Sequence, residues 1–224
     1  MTDKLSKWKV INMHDYTENE RKYGGFSPEI EKNVKKNSDV FDIGCSTGEL
    51  AKALSSKGCT VVGLDIDSNS LQQAKRYCIE IIHCDLDDFE KLHEHLGSRK
   101  FDYITMGDIV EHLKYPEYLI KYLRKYLKPE GSLITSIPNA AFISMRMKFL
   151  MGNFDYDKNG GLMDEDHLRF FSFKTAKKLF VVSGYQISRC YGKSIVRPIF
   201  CFLNPLASIF PTLFAIHIII IAKN

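Results

Sequence analysis

The stretch Val40-Phe41-Asp42-Ile43-Gly44-Cys45-Ser46-Thr47-Gly48, followed by Glu49-Leu50-Ala51-Lys52-Ala53-Leu54, reads as a buried strand, a glycine turn and a helix within one βα unit. Glycine lets a backbone turn sharply and pass close to a small ligand. A dinucleotide-binding turn needs glycine in the spacing G-x-G-x-x-G. Here Ser46 takes the middle position and Glu49 the last, so a dinucleotide pyrophosphate fits poorly.

Outward from that turn, Thr60-Val61-Val62-Gly63-Leu64-Asp65 reads as the next strand. It ends in an acid about twenty residues on, the spacing at which a Rossmann-like unit holds ribose hydroxyls. Asp65 is the expected ribose ligand, with Ile66 beside it. The alternative is that Asp65 or Asp67 caps a helix carrying Leu71, Ala74 and Tyr77, since Asp is a good N-cap. A third strand, Glu80-Ile81-Ile82-His83-Cys84-Asp85, again ends in Asp. Three acids closing three strands fit the rule that open α/β sheets bind ligands beyond the carboxyl ends of their strands.

The turn, read as apolar-Asp-apolar-Gly-x-Ser-x-Gly, resembles motif I of the class I S-adenosylmethionine (SAM)-dependent methyltransferases, with Ser46 where glycine is commoner. Leu127-Lys128-Pro129-Glu130-Gly131-Ser132-Leu133-Ile134-Thr135-Ser136-Ile137 resembles the later family segment with L-K-P-G-G. The resemblance covers roughly residues 20–222. It implies a Rossmann-like sheet of seven strands, mostly parallel with the last antiparallel and inserted beside the sixth, and helices on both faces. It also implies that Asp42 and the loop Gly44, Cys45, Ser46 and Gly48 contact the methionine part of SAM. Asp65 and Ile66 would then serve the ribose side, Asp85 and Leu86 the adenine, and Gly107 would supply a backbone contact.

The rest of the chain continues the alternation. Phe101-Asp102-Tyr103-Ile104-Thr105 reads as a fourth strand, and Leu119, Leu123 and Leu127 form a helix stripe ended by Pro129-Glu130-Gly131. Ser132–Ile137 is a fifth strand, broken by Pro138-Asn139. Ser172 is an N-cap for a helix through Phe180, with Gly184 at its C-terminal end. Strands from Tyr185 to Tyr191 and from about Phe214 to Ala222 complete seven. One domain over 1–224 is expected, with a cap over 1–36 and a lid over 139–171.

At 224 residues, 45% hydrophobic, 26% charged and a formal charge of +4, the chain suits one globular α/β domain. Lysines at 4, 7, 9, 22, 32, 35 and 36 make the beginning basic. A solvated face is the expected meaning, rather than a nucleic-acid stripe. The cysteines at 45, 59, 78, 84, 190 and 201 lack C-x-x-C spacing and read as free thiols. The polar, lysine-rich beginning has no apolar stretch of a secretory signal, so the cytoplasm is the expected compartment.

Chemistry centres on Met106-Gly107-Asp108-Ile109-Val110-Glu111-His112. On a helical turn, Asp108, Glu111 and His112 share a face. The lid adds Asp164-Glu165-Asp166-His167, which makes His167 the expected companion of His112. Three roles stay open. Asp108 and Glu111 can form a capping box. A histidine, with Asp108, can act as general base for an acceptor hydroxyl. Or Asp108, Glu111, His112 and His167 can hold a divalent metal. The metal role resembles the Glu-x-x-Glu-His segment of small-RNA 3′-end 2′-O-methyltransferases and of ubiquinone-pathway O-methyltransferases, with Asp108 in place of the first Glu.

For the acceptor, Asp166-His167-Leu168-Arg169-Phe170-Phe171-Ser172 and Pro211-Thr212-Leu213-Phe214-Ala215 resemble bacterial methyltransferases of surface polysaccharide or lipopolysaccharide building. That implies an O-methyltransferase for a glycan or sugar intermediate. The lid, with Phe142, Met145, Met147, Phe149, Leu150 and Met151, either covers the acceptor or packs on the core. The span Ile199–Ala222 carries no charge. Prolines and polar residues interrupt it, which favours a short helix and a buried strand over a membrane span. A lipid-linked acceptor or peripheral bilayer contact would suit it. Tyr16, Arg21, Tyr23 and Phe26 are candidates to close over SAM or acceptor. A SAM-binding partner or sensor without transferase activity is the reading of another class.

Overall fold

The computed structural model describes residues 28–158, 160–193 and 209–224. Tyr16, Arg21, Tyr23, Phe26, Cys201 and most of the N-terminal cap lie outside the described residues. So does the first part of the uncharged C-terminal span.

Strands β1 (Asp39–Ile43), β2 (Thr60–Asp65), β3 (Glu80–His83), β4 (Phe101–Gly107), β5 (Leu127–Pro138), β6 (Gln186–Lys193) and β7 (His217–Lys223) form one sheet in the order β3-β2-β1-β4-β5-β7-β6. The first five are parallel, and β7 runs antiparallel between β5 and β6. Every β7 residue from Ile218 to Ala222 is buried, as an apolar run between two partners must be. Burying each of its isoleucines contributes about 1.5–3 kcal/mol.

The helices are α1 (Pro28–Asn33), α2 (Glu49–Ser56), α3 (Ser68–Ala74), α4 (Phe89–Leu96), α5 (Pro116–Leu123), α6 (Ile143–Leu150), α7 (Phe173–Val182) and α8 (Pro211–Phe214). Leu50, Ala51 and Leu54 of α2 are buried. The faces of α5 and α7 that carry Leu119, Ile120, Leu123, Ala176, Leu179 and Phe180 close the larger core cluster. Ser172 caps α7 as expected, in a reciprocal box with Thr175.

Four expectations need correction. Leu127 is not on a helix: α5 stops at Leu123, a 3₁₀ turn covers Arg124–Tyr126, and Leu127 opens β5. Pro129, Glu130 and Gly131 lie inside that strand, where a register shift against β4 between Phe101 and Tyr103 absorbs them. Helix α3 ends before Tyr77. Finally, β3 stops at His83, and α4, which the sequence reading leaves out, follows with Asp88 as its N-cap.

Among its described residues the lid carries one helix, α6, and of that helix only Met145 is buried. Met147, Phe149, Leu150 and Met151 are exposed, so the stripe does not pack on the core. Among the described residues, all five cysteines are free, with Cys45, Cys59 and Cys84 buried and Cys78 and Cys190 half-buried. No described helix is long and apolar enough to cross a membrane.

Candidate active site

The β1 end of the site is built from short-range bonds. Asp42 is fully enclosed one residue before β1 ends. Thr105 Oγ1 donates to its Oδ1 at 2.7 Å, while Oδ2 has no partner among the described residues. Burial pushes the carboxyl up to about 7, and the nearby charge of Asp65 adds to the rise against the Thr105 bond. An orphaned, enclosed carboxylate oxygen fits a cationic ligand group such as the ammonium of SAM.

The turn itself reverses at three left-handed residues, with φ of 71° at Gly44, 46° at Ser46 and 83° at Gly48. The amides of Gly44 and Cys45 both donate to Leu64 O, at 2.8 and 2.9 Å, which ties the turn to β2. A Cβ on Gly44 would lie 2.1 Å from Ile109 Cδ1, and one on Gly48 would lie 2.8 Å from Ala74 Cα. These glycines therefore admit protein neighbours, a packing role additional to the ligand contact expected of them. Ser46 is exposed and adopts the left-handed conformation at the usual cost for a residue with a Cβ.

Asp65 and Asp67 divide the two roles left open for them. Asp67 caps α3, accepting from the amides of Asn69 and Ser70 at 3.0 and 3.2 Å. Asp65 is held by the amides of Ser46 at 2.7 Å and Asp67 at 2.9 Å, which orient it at the carboxyl edge of the sheet. Exposed Ile66 follows, its carbonyl meeting His83 Nε2 at 2.8 Å. Asp85 is exposed two residues past β3 and accepts from the Asp87 amide at 2.9 Å, with half-buried Leu86 next to it. The expected row of acids is thus staggered: one inside its strand, one at the end, one beyond it.

The β4 end is built differently. Strand β4 ends at Gly107, and Asp108 turns left-handed with φ 52°. Its amide donates to Ser136 O at 3.1 Å, its Oδ1 accepts from Ser136 Oγ at 3.0 Å, and His217 Nε2 lies 3.6 Å from its Oδ2. Val110–His112 forms only a 3₁₀ turn, whose N-cap is Ile109 and has no side-chain bond. The capping box is therefore absent, and Asp108 does not share a helical face with Glu111 and His112. The left-handed residue turns it toward β5 and β7 instead. His217 escaped the sequence reading as a site residue; the signal was available, since an antiparallel last strand must begin at the carboxyl edge of the others.

Glu111 and His112 meet His167 as expected. Glu111 is 1% exposed, and neither carboxylate oxygen has a hydrogen-bond partner among the described residues. His167 Nε2 lies 4.0 Å from Glu111 Oε1, and the His112 and His167 ring centroids are 4.8 Å apart. One ligand atom from each of the three residues falls within 4.8 Å of the others, and Asp108 is outside that group. The lid is tied to this point by backbone bonds: the amides of Leu168 and Arg169 donate to Glu111 O at 2.9 and 3.0 Å, and His112 Nδ1 meets Asp166 O at 3.1 Å. Burial, then the charges of Asp108 and Asp164, hold the Glu111 carboxyl well above its usual range. Burial and the His112 charge push His167 down, so its imidazole is neutral near pH 7 and able to accept a proton or ligate a cation.

Beyond His167, an aromatic ladder climbs the lid through Phe170, Tyr156, Phe154 and Phe149, with centroid steps of 6.3, 6.4, 6.2 and 4.8 Å. Beside it lies a groove of about 380 Å³ lined by Ala140, Ala141, Arg146, Phe149, Phe170 and Phe171.

A sequence model of the family described as methyltransferase domain matches residues 16–189. The ubiquinone biosynthesis O-methyltransferase of Haemophilus ducreyi is 33% identical over 106 residues, covering 45% of each chain. The protein of that name in Coxiella burnetii is 32% identical over 117 residues, covering 50% of this chain and 49% of its own. The chain thus spans about half the length of the curated relatives it matches. Among solved structures, a SAM-dependent methyltransferase from Mesorhizobium loti superposes with a TM-score of 0.62 at 15% identity, covering 88% of this chain and 96% of that one. One from Archaeoglobus fulgidus gives 0.61 at 17% identity, covering 86% and 87%. Because the family match runs through the glycine turn and the lid into β6, and the sheet is of the same kind, the chain belongs to the methyltransferase domain family and has the class I fold of the SAM-dependent methyltransferases.

Proposed function

We propose that the protein transfers the methyl group of SAM to a hydroxyl of a ring-bearing small molecule. Asp42, the Gly44–Gly48 turn with Cys45 and Ser46, Asp65, Ile66, Asp85, Leu86 and Gly107 hold the cofactor in this reading. Its support on that side is the orphaned Oδ2 of enclosed Asp42 and the amide-oriented carboxylate of Asp65. When bound, SAM supplies a methyl group on a sulfonium, already electrophilic enough for an oxygen lone pair to displace the thioether in line.

The observation that carries the acceptor half is Glu111, buried with two unpartnered oxygens against two histidines. A poorly acidic hydroxyl must lose its proton as its oxygen bonds to the methyl carbon. Neutral His167 takes that proton, and Glu111 steadies the imidazolium that results. His112 fixes the lid by its bond to Asp166 O and excludes water from the site. Holding the acceptor in line contributes up to roughly 7–11 kcal/mol to lowering the barrier.

A second reading, in which the same three residues hold a divalent cation, is favoured by their ligand atoms lying within 4.8 Å. Three nitrogen and oxygen donors with one open side suit a cation that acidifies a bound hydroxyl. The relatives' names point to an acceptor from ubiquinone biosynthesis, whereas the Asp166–Ser172 resemblance points to a sugar hydroxyl; the aromatic ladder supports a ring in either case. A lipid-linked form, or bilayer contact through the exposed lid, is the finer extension.

The test is calorimetric titration with SAM, then assays with sugar and quinone-precursor acceptors, each with and without chelator. SAM binding with turnover that survives chelation supports the histidine base; turnover abolished by chelator and restored by Mg²⁺ or Mn²⁺ supports the cation. Tight SAM binding without turnover on either acceptor class would sink the transferase reading in favour of a SAM-binding partner or sensor.

A further inference from the structure

Behind the glycine turn, two thiols converge on one point. A Cβ placed on Gly63 would lie 2.8 Å from Cys45 Sγ and 2.9 Å from Cys78 Sγ. Gly63 sits mid-strand in β2, fully buried between β1 and β3, where any side chain would wedge between the two sulfurs. Cys45 belongs to the turn itself: its amide is tied to Leu64 O, its carbonyl accepts from Gly48 N, and the next amide, of Ser46, orients Asp65. Cys78 comes from the loop that leads into β3 and is half-buried, so a small oxidant can reach it. Cys45 Sγ makes a long contact to Ser46 O at 3.9 Å, whereas Cys59 Sγ donates to Lys35 O at 3.3 Å and Cys84 Sγ to Asp85 O at 3.2 Å.

We propose that Cys45 and Cys78 are a redox modification site, a thiol pair that peroxide converts to a disulfide and that thereby closes the turn to SAM. The effect on SAM rests on the cofactor reading above; the disulfide itself does not.

With the two sulfurs converging over Gly63, their interaction pushes Cys45 up and Cys78 down, which makes Cys78 the attacking sulfur. The Cys78 thiolate bonds to one oxygen of hydrogen peroxide, the O–O bond breaks, and the departing hydroxide takes a proton to become water. Cys45 then loses its proton, its sulfur bonds to the Cys78 sulfenic sulfur, and the sulfenic oxygen leaves as a second water. Two thiols lose two electrons in total and one peroxide gains them. A disulfide needs its sulfurs about 2.0 Å apart. Joining the sulfurs pulls on the turn through Cys45, whose amide is tied to Leu64 O and whose neighbour's amide holds Asp65.

The experiment uses the full chain, reduced and then treated with hydrogen peroxide. Peptide mapping by mass spectrometry is expected to find one cross-link, between the peptides of Cys45 and Cys78, that dithiothreitol reverses. SAM affinity is expected to fall at least about tenfold on oxidation and to recover on reduction. Cys78→Ser should bind SAM as the reduced parent does and be insensitive to peroxide. No cross-link, a different cross-link, or a 45–78 cross-link with unchanged SAM affinity overturns the proposal, as does equal peroxide sensitivity in Cys78→Ser. Absence of SAM binding by the reduced parent would instead overturn the cofactor reading, and the mapping would still decide the disulfide.

Discussion

The two halves of the carboxyl edge are held together in opposite ways. Around β1 and β2, the carboxylates are answered mostly by amides of the adjoining turns, Ser46 and Asp67 on Asp65 and Asn69 and Ser70 on Asp67, while Asp42 takes one hydroxyl from Thr105 of β4 and keeps one oxygen without a partner among the described residues. Beyond β4, Glu111 is buried with no hydrogen-bond partner, beside histidines brought together from 55 residues apart by lid backbone bonds. A half built mostly from amides of its own turns is preformed, which suits the constant ligand proposed for it. A half built by long-range convergence leaves polar atoms unspent and is suited to changing protonation or to ligating a cation.

The sharpest way to break this contrast is at Glu111 and His167. Glu111→Gln and His167→Ala are each expected to lower the rate of methyl transfer by about 10²–10⁴-fold. SAM affinity should stay within about twofold in titrations, since neither residue is placed on SAM. Equal loss of SAM affinity would mean that the halves are one unit.

The mirror experiment comes next. Asp65→Ala is expected to weaken SAM by about 10- to 100-fold, the scale of a charge-assisted hydrogen bond or two. Thermal unfolding should change little, because Asp67 still caps α3. A large drop in Tm would show that Asp65 is a structural residue.

A pH titration sharpens the preformed half further. With its carboxyl near 7 in the folded chain and 3.8 as the reference, Asp42 keeps a proton between those values that the unfolded chain has lost. Its contribution to unfolding free energy therefore falls as pH rises across that window. An ammonium group on its free oxygen favours the ionised form, so SAM affinity should tighten as pH rises toward about 7, by up to about tenfold per pH unit. Asp42→Asn should flatten that profile. An unchanged slope in Asp42→Asn would remove Asp42 from the cofactor half.

The smallest expected effect is on the lid. Phe154→Ser cuts the aromatic ladder three steps from His167. It is expected to raise KM for a ring-bearing acceptor a few-fold while leaving kcat and SAM affinity alone. A fall in kcat instead would tie the outer lid to the chemistry.

The legibility of the two halves follows the same division. The glycine turn, Asp65 and the capping of α3 were readable because each depends on neighbours within a few residues or one βα unit, whereas the Thr105 bond to Asp42 comes from a distant strand. The meeting of His112 with His167 was readable as a pairing, but its geometry was not. A helix from Asp108 was the natural expectation, and the left-handed turn at that residue follows from its two bonds to Ser136 on the adjacent strand. The end of α5 before Leu127 was lost for a related reason: apolar spacing continued past the helix, and pairing with β4 claimed Leu127 for the sheet.

By itself, then, the sequence determined the class of fold, the glycine turn after β1 and the acid at the end of β2, because strand periodicity, glycine backbone freedom and amide capping are local properties. Only the tertiary structure decided that Asp108 faces His217, that Glu111 is stranded without a partner, and that Cys45 and Cys78 share the space over Gly63. Each of those depends on which strands are neighbours and on where an antiparallel strand begins, and sheet pairing is fixed by the packing of the whole core rather than by any one segment.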